Sequence, residues 1–592
     1  MTMNPESTSP AVETQTGTAV CAVTIQSTDC ISASPKEATP TPRFRGADKR
    51  PEQNSRGTAT GFLRLKVPTS TRPSSAAIVA KSPFLADTAS RRFLMNVGSN
   101  LCYLLLNTAL MMWYVPFLLH HLGVAAYGMI PLVNSLVMYG GIISGSLDVS
   151  LNRFLAIDVN QGNRAGANRT FNTALALSVA GCGILLLPGG AVTYLFPTFF
   201  NAPHGLEHAS QFLFASVVVA SLAAFISSNF GVSSLITHRF DLRNIVRLFT
   251  SLSRVGVVMI CFMLWPASLW HVGIGFMVSA CVGLTGDVLV ARRLTPQLRI
   301  DPHDVDSGQF RALLGLSGWS AINQVGFLLL MQVDLLIVNA LFGADSTGRY
   351  GAVLMLPLLV HMALETVVAV LSPAIMARYA VGDVAGVQQL ATFSVKLLGV
   401  GLALPVGLLC GLGHPLLLLW LGPDFAHLDI LLILLVGHLS INLATRPVSY
   451  VITAYNRVKV QSFVTVALAV GYVCLAVALA RWSGWGMCGV AAAAAIVWTL
   501  RNAVFMSSYG ALVMGLPWWR LYQPLIAGAL GTIGVAMISW FGWHLFVPNN
   551  WITLGMMATV ISGIYGVSAY LMSLNRRDRD LLWSFLPQRP RL

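Results

Sequence analysis

Charge is scarce in this 592-residue chain: only 10% of its residues are Asp, Glu, Lys or Arg, against about 25% in soluble domains. A soluble core cannot absorb the apolar surface that remains. Ligand-spaced cysteine is also missing. The nine cysteines (21, 30, 102, 182, 261, 281, 410, 474 and 488) include no CxxC. Seven of them fall in apolar runs, where a thiol acts as a small hydrophobe. No P-loop, GxSxG or HExxH occurs, so ATP-driven transport and common hydrolase chemistry lack their groups. Metal-ligand patterning is reduced to one acidic cluster, DPHDVDSGQF from Asp301. An Asp-x-x-Asp-x-Asp run offers oxygens to Mg²⁺, but Asp306 or Ser307 capping the helix that follows is the preferred reading. No metal or cofactor is expected.

What is abundant is apolar sequence. Hydrophobic residues make up 55% of the chain and the mean hydropathy is +0.68. Runs of around 20 apolar residues recur from about residue 93 onwards, each long enough to cross a ~30 Å hydrocarbon layer as a helix. The expected fold class is therefore an all-α polytopic membrane protein. Fourteen helices are expected, centred near residues 107, 138, 183, 223, 256, 280, 329, 363, 402, 440, 471, 497, 534 and 562. The net charge of +14 does not indicate nucleic acid, because of where the cations fall. Twelve of the 37 Lys and Arg lie in residues 1–92. If Arg91 and Arg92 are cytoplasmic, alternate loops and the C-terminal tail carry twenty more, among them Arg243, Arg247, Arg457 and Arg501; the opposite loops carry only Arg349 and Arg481. That asymmetry is the positive-inside signature. It places both termini in the cytoplasm and the chain in the cytoplasmic (inner) membrane.

Residues 1–92 are rich in Ser, Thr, Pro and Ala without a sustained apolar run, so disorder is expected there, with basic residues suited to anionic membrane lipid. They show neither the charged start nor the apolar core of a secretory leader. The remainder divides into a first six-helix bundle (93–291), a cytoplasmic link (292–315), a second six-helix bundle (316–515), two appended helices (516–573) and a basic tail (574–592).

The two bundles read as copies. HHLGVAAYGMIPLVNSL from His120 is echoed by NALFGADSTGRYGAVLML from Asn339, with Tyr-Gly pairs 223 residues apart. RFLAIDVNQGN from Arg153 pairs with RYAVGDVAG from Arg378, and SSLITHRF from Ser233 with SYVITAYN from Ser449. Six helices per unit return the chain to its starting side, so the halves are expected to be parallel repeats about an axis along the membrane normal, as in some secondary transporters. Glycine and proline within the runs, such as Gly140-Gly141, Pro357 and Pro447, suit moving helices as well as ordinary packing.

The turn Leu122-Gly123…Tyr127-Gly128, its echo Phe342-Gly343…Tyr350-Gly351 and Asp334 in QVDLLIVNALFG resemble polysaccharide (O-antigen type) flippases of the multidrug/oligosaccharidyl-lipid/polysaccharide exporter superfamily, over residues 93 to 515. Fourteen spans depart from the twelve usual in many such flippases and are similar to the peptidoglycan-precursor flippase; the long N-terminal extension matches neither. The resemblance implies a secondary transporter, not an enzyme, that moves an undecaprenyl-diphosphate-linked oligosaccharide between leaflets by alternating access for polysaccharide biosynthesis. A monomer is expected to suffice.

Ionisable groups within the runs are the candidate site, since each costs roughly 2.5–3.5 kcal/mol or more in a bilayer. Arg446 precedes Pro447 deep in a run, and Arg254 lies nearer a cytoplasmic end; guanidinium forks suit a diphosphate headgroup. Asp334, with His361 and Glu365 one helical turn apart, would bind and release H⁺ or Na⁺. The bland alternative is that Asp334, Glu365 and Arg446 pair structurally. Lys396 is explained by snorkelling. At the 223-residue spacing, Asp334 and Glu365 fall on Met111 and Ile142, which puts ion coupling in the second bundle. A drug/cation antiporter of the same superfamily would favour acids in the first bundle and few cavity arginines; the sequence reads as the reverse. A membrane glycosyltransferase would need larger outer loops than PTFFNAPHGLEHAS.

Overall fold

A computed structural model describes residues 83–368 and 371–573 of the chain; the tails 1–82 and 574–592 lie outside the described residues. Every extended element in the described residues is helical, as expected. The first bundle comprises α1 (Pro83–Leu122), α2 (Val124–Met138), α3 (Gly141–Asn160), α4 (Arg164–Phe199), α5 (Glu207–Ile236), α6 (Phe240–Leu264) and α7 (Leu269–Leu294). The second begins with α8 (Ser307–Val368), α9 (Leu371–Ala380) and α10 (Val384–Gly411). It continues through α11 (Gly413–Leu421), α12 (Pro423–Ala426), α13 (Asp429–Val436), α14 (Leu439–Asn442) and α15 (Arg446–Ala454). It closes with α16 (Val458–Trp482), α17 (Met487–Thr499) and α18 (Ser507–Val513), the last two joined by a π-helical stretch, Leu500–Met506. The appended pair is α19 (Tyr522–Leu545) and α20 (Trp551–Ser568).

Eleven of these helices are long and apolar enough to cross a membrane, or thirteen when two bent pairs are each taken as one span. The bent spans are Val124–Met138 with Gly141–Val159, at 49°, and Asp429–Asn442 with Arg446–Ala454, at 42°. The shortfall from the expected fourteen has a local cause. α8 is 62 residues long and contains one non-helical residue, Gly343 (φ 79°), at which two helices are joined end to end. The outward surface bears the side chains a bilayer demands: Ile184, Leu187, Met263, Leu530, Ile533 and Ile552 are all exposed.

The repeat is written in the backbone itself. Gly123 and Gly343 share φ 79°, Gly162 and Gly382 have φ 70° and 75°, and both pairs are 220 apart (343 − 123, 382 − 162). Asn163 and Asp383, again 220 apart, each cap a helix by accepting from the amide three residues on. His238 and Asn456, the two non-glycine residues with positive φ among the described residues, are separated by 218. The true register is thus 220 for the first three spans of each half and 218 for the next two, so the spacings of 223, 225 and 216 read from the Tyr-Gly, Arg and Ser pairs are corrected. Residues related by 220 meet each other where the halves touch. A Cβ on Gly128 would lie 2.6 Å from the Gly348 nitrogen and one on Gly351 2.7 Å from Cγ of Pro131, while one on Gly348 would lie 2.0 Å from the oxygen of Val124, one turn before Gly128. The repeat axis passes through this α2–α8 contact, and only glycine lets the backbones approach so closely.

Further contacts tie the halves at the same end. Asn201 donates its amide to Oδ1 of Asn339 at 3.0 Å and its side chain to the Asn339 carbonyl at 2.8 Å. Trp420 donates to the Met112 carbonyl at 2.6 Å. The appended helix α19 lies along α10, whose glycines admit it: a Cβ on Gly407 would meet Val535 at 2.6 Å and one on Gly411 the Ala536 oxygen at 2.4 Å.

Candidate functional site

Arg446 sits where a span is broken. α14 ends at Asn442 and α15 starts at Arg446, with Pro447, which has no N–H to give an α-helical bond, in its first turn. The guanidinium donates from Nε to Oε1 of Glu365 at 2.9 Å and pairs with the same oxygen through Nη2. It also lies 5.5 Å from the Phe327 ring centroid. Phe327 meets Trp498 edge-on at 6.0 Å, and the Trp498 ring carries Arg501 at 5.6 Å. Arg446 and Arg501 are close enough to repel each other. His361, one turn before Glu365, feels the charge of Arg446 and neighbours His438.

Arg501 is the residue that the sequence reading misplaced. It was expected in a basic loop, yet it is 5% exposed within the π-helical stretch of a candidate span. It donates from Nε to Thr465 at 3.0 Å and from Nη1 to its neighbour Asn502 at 2.7 Å. Glu365 thus pairs with Arg446, while the hydrogen bonds of Arg501 go to neutral side chains. A π-helical segment widens the turn and often marks a functional position, and it is the only local sign that would have drawn attention here.

Asp334 stands apart from this cluster. It is 7% exposed, and its two oxygens accept from Tyr472 at 2.5 Å and Tyr350 at 3.0 Å. Of the expected structural trio, Glu365 and Arg446 pair with each other; the hydrogen bonds of Asp334 go to tyrosines. Arg254 belongs to the first bundle, with its Cζ 5.0 Å from the Phe276 centroid and Tyr103 and Tyr114 as electrostatic neighbours. Its Nε and the Tyr114 hydroxyl are both buried without a hydrogen-bond partner. The corrected register explains this neighbourhood: Tyr114 takes the place of Asp334, at 220, and Arg254 that of Tyr472, at 218. The tyrosine–acid pair of one half is a tyrosine–arginine pair in the other. Met111 and Ile142 are therefore not the counterparts; Tyr114 and Gly145 are.

The first bundle also holds acids that the sequence reading passed over. Asp148 of α3 accepts from Ser228 at 2.8 Å and Asp287 of α7 from Ser227 at 2.7 Å. Both line a cavity of about 400 Å³ with Arg243 and Arg247, which were assigned to a loop but belong to α6. The first bundle is not acid-free, and the pattern taken to disfavour an antiporter is only half present. Asp306 caps α8 as expected, accepting from the Gln309 amide at 2.9 Å; Asp301 accepts from the His303 amide at 2.9 Å, and Asp304 from the Asn168 side chain at 3.2 Å.

Comparison with known proteins places this architecture. No family model matches the chain. It is 28% identical over 495 residues to the "Uncharacterized membrane protein EpsK" of Bacillus subtilis, covering 83% of this chain and 97% of that protein. It is 25% identical over 394 residues to the "Putative O-antigen transporter" of Shigella flexneri, covering 65% and 89%. Among solved structures, the lipid II flippase MurJ in an inward closed conformation superposes with a TM-score of 0.59 at 10% identity, over 83% of this chain and all of that one. An inward-facing multidrug resistance MATE family transporter of the MOP superfamily gives 0.52 at 14% identity, over 77% and 99%. These two show a shared fold. Together with the curated relatives they agree with the resemblance seen in the sequence: this is a multi-pass, all-helical membrane protein, similar in sequence to a putative O-antigen transporter and sharing its fold with a lipid II flippase and a MATE transporter.

Proposed function

We propose that the chain is a secondary transporter that flips an undecaprenyl-diphosphate-linked oligosaccharide across the cytoplasmic membrane by alternating access, as a monomer with both termini in the cytoplasm. The observation that carries this reading is the pair Arg446 and Arg501, bridged by Phe327 and Trp498, with Glu365 paired to Arg446 and no ion pair to Arg501 among the described residues. Two guanidiniums against one carboxylate leave an uncompensated positive charge at a helix break, which suits a diphosphate through paired charge-assisted hydrogen bonds. Arg254 is a second headgroup contact, offered by the first bundle. Asp334, Glu365 and His361 couple transport to an H⁺ or Na⁺ gradient. Glu365 does so as the anion that holds Arg446 when no diphosphate is present.

A cation antiporter is the second reading, because Asp148 and Asp287 put two acids into a first-bundle cavity; Arg243 and Arg247 beside them weaken its pull on cations. Translocation of a fluorescent undecaprenyl-diphosphate oligosaccharide in proteoliposomes separates the two. Wild type transports it, Arg446→Ala does not, and Asp334→Asn loses the part driven by an imposed ion gradient. Transport of cationic dyes with no movement of any lipid-linked sugar would overturn the flippase reading in favour of the antiporter.

A further inference from the structure

The first-bundle cavity is the part of the molecule that this mechanism leaves unused. It is built from five helices, with Tyr103 of α1, Asp148 and Asn152 of α3, Ser228 of α5, Arg243 and Arg247 of α6, and Asp287 of α7 at its wall. Its volume of about 400 Å³ falls in the range of small-ligand sites. It also occupies a meaningful place in the repeat. Ser228 stands 218 residues before Arg446, and Arg247 stands 218 before Thr465, the hydrogen-bond partner of Arg501. The cavity is therefore the first-half counterpart of the Arg446–Arg501 site, with different chemistry.

That chemistry narrows the ligand. Arg243 interacts electrostatically with both Asp148 and Asp287, yet neither carboxylate lies within 4.0 Å of a guanidinium nitrogen. Each carboxylate takes one serine hydroxyl and keeps its other oxygen open. Oδ1 of Asn152 is buried without a partner. Two cations and two anions cancel, so neither a phosphate nor a metal cation is favoured by net charge, and each would meet two like charges at close range. A neutral group that donates to carboxylates and accepts from guanidiniums around its whole edge satisfies every one of these atoms. A sugar ring has that pattern of hydroxyls, and Tyr103 supplies an aromatic side chain at the wall.

We propose that this cavity binds a saccharide unit of the transported molecule, with Asp148, Asp287, Arg243 and Asn152 as its hydroxyl partners. The identity of the sugar's carrier rests on the flippase reading; the existence of the sugar site does not. The test is calorimetry on the full chain in nanodiscs with two separate probes, free inorganic pyrophosphate and the glycan pool released by mild acid from the source cell's lipid-linked oligosaccharides. Wild type binds both. Asp148→Asn and Arg243→Gln each weaken the glycan by at least about tenfold, the loss expected from one charge-assisted hydrogen bond, and leave pyrophosphate unchanged. Arg446→Gln does the opposite. Glycan binding that is absent in wild type, or indifferent to both cavity variants, overturns the sugar site even if pyrophosphate behaves as described. Pyrophosphate binding that ignores Arg446→Gln overturns the headgroup reading and leaves the sugar site standing. Sodium binding abolished by Asp148→Asn, without a change in the glycan, would make the cavity a cation site instead.

Discussion

Glu365→Gln is expected to raise affinity for a diphosphate. In the structure Glu365 is the counter-ion of Arg446, and a diphosphate that claims the guanidinium must displace it. Two unit charges about 4 Å apart attract by roughly 1 kcal/mol in water and roughly 4 kcal/mol at an effective dielectric of 20. The Arg446 and Glu365 side chains are 28% and 44% exposed, so screening pulls the value towards the lower figure, about 1–2 kcal/mol. Removing the charge while keeping the shape should tighten pyrophosphate or undecaprenyl diphosphate about 5- to 30-fold. The gain should shrink as salt is raised, because the competition is partly open to solvent. Calorimetry at two ionic strengths reads both effects. Unchanged or weaker binding in Glu365→Gln, with Arg446→Gln still binding normally, would refute the idea that the acid and the ligand compete for one guanidinium.

Other consequences are equally direct. Tyr472→Phe and Tyr350→Phe each strip one donor from the buried Asp334 carboxylate and should lower stability by about 1.5–3 kcal/mol. The double variant should lose more than the sum, since the carboxylate then has neither side-chain donor, and thermal unfolding in detergent gives the comparison. Gly348→Ala places a methyl 2.0 Å from the Val124 oxygen and should cost about 1–3 kcal/mol by overpacking, whereas Gly190→Ala, with open space around it, should be close to neutral by the same measurement. Asn339→Ala removes the side-chain contact with the Asn201 amide and the donor to its carbonyl. Labelling of a cysteine introduced at position 201 by a membrane-impermeant thiol reagent should then speed up, and an unchanged rate would show that this contact does not hold the halves together.

Much of the architecture was legible because membrane spans announce themselves by composition. The repeat was legible in outline from short phrases, but its register was not. Tyr-Gly looks like an equivalent pair at 127 and 350, while the backbone conformation that defines the turn is fixed by Gly123 and Gly343. A three-residue slip moves the comparison nearly one helical turn along the same face, which is why Asp334 was matched to Met111 rather than Tyr114. The site was half legible. Arg446, Glu365 and Asp334 stand out as charges inside apolar runs, and the sequence could foresee that Glu365 and Arg446 share a neighbourhood. Arg243, Arg247 and Arg501 were hidden by the positive-inside rule itself: arginines near a span's end count as loop residues, and hydropathy does not mark where the helix itself stops. Asp148 and Asp287 sit within helices of modest apolar character and acquire meaning only when α3, α5, α6 and α7 are brought together around one cavity.

The central claim is that the Arg446–Arg501 site lies on the path of a lipid diphosphate. A photoreactive amino acid placed at Phe327, the ring beneath Arg446, tests it in intact cells by crosslinking followed by mass spectrometry. An adduct carrying a polyprenyl-diphosphate sugar is expected, lost when Arg446→Gln is added. Adducts of bulk phospholipid alone, or a lipid-linked sugar adduct indifferent to Arg446→Gln, would contradict it.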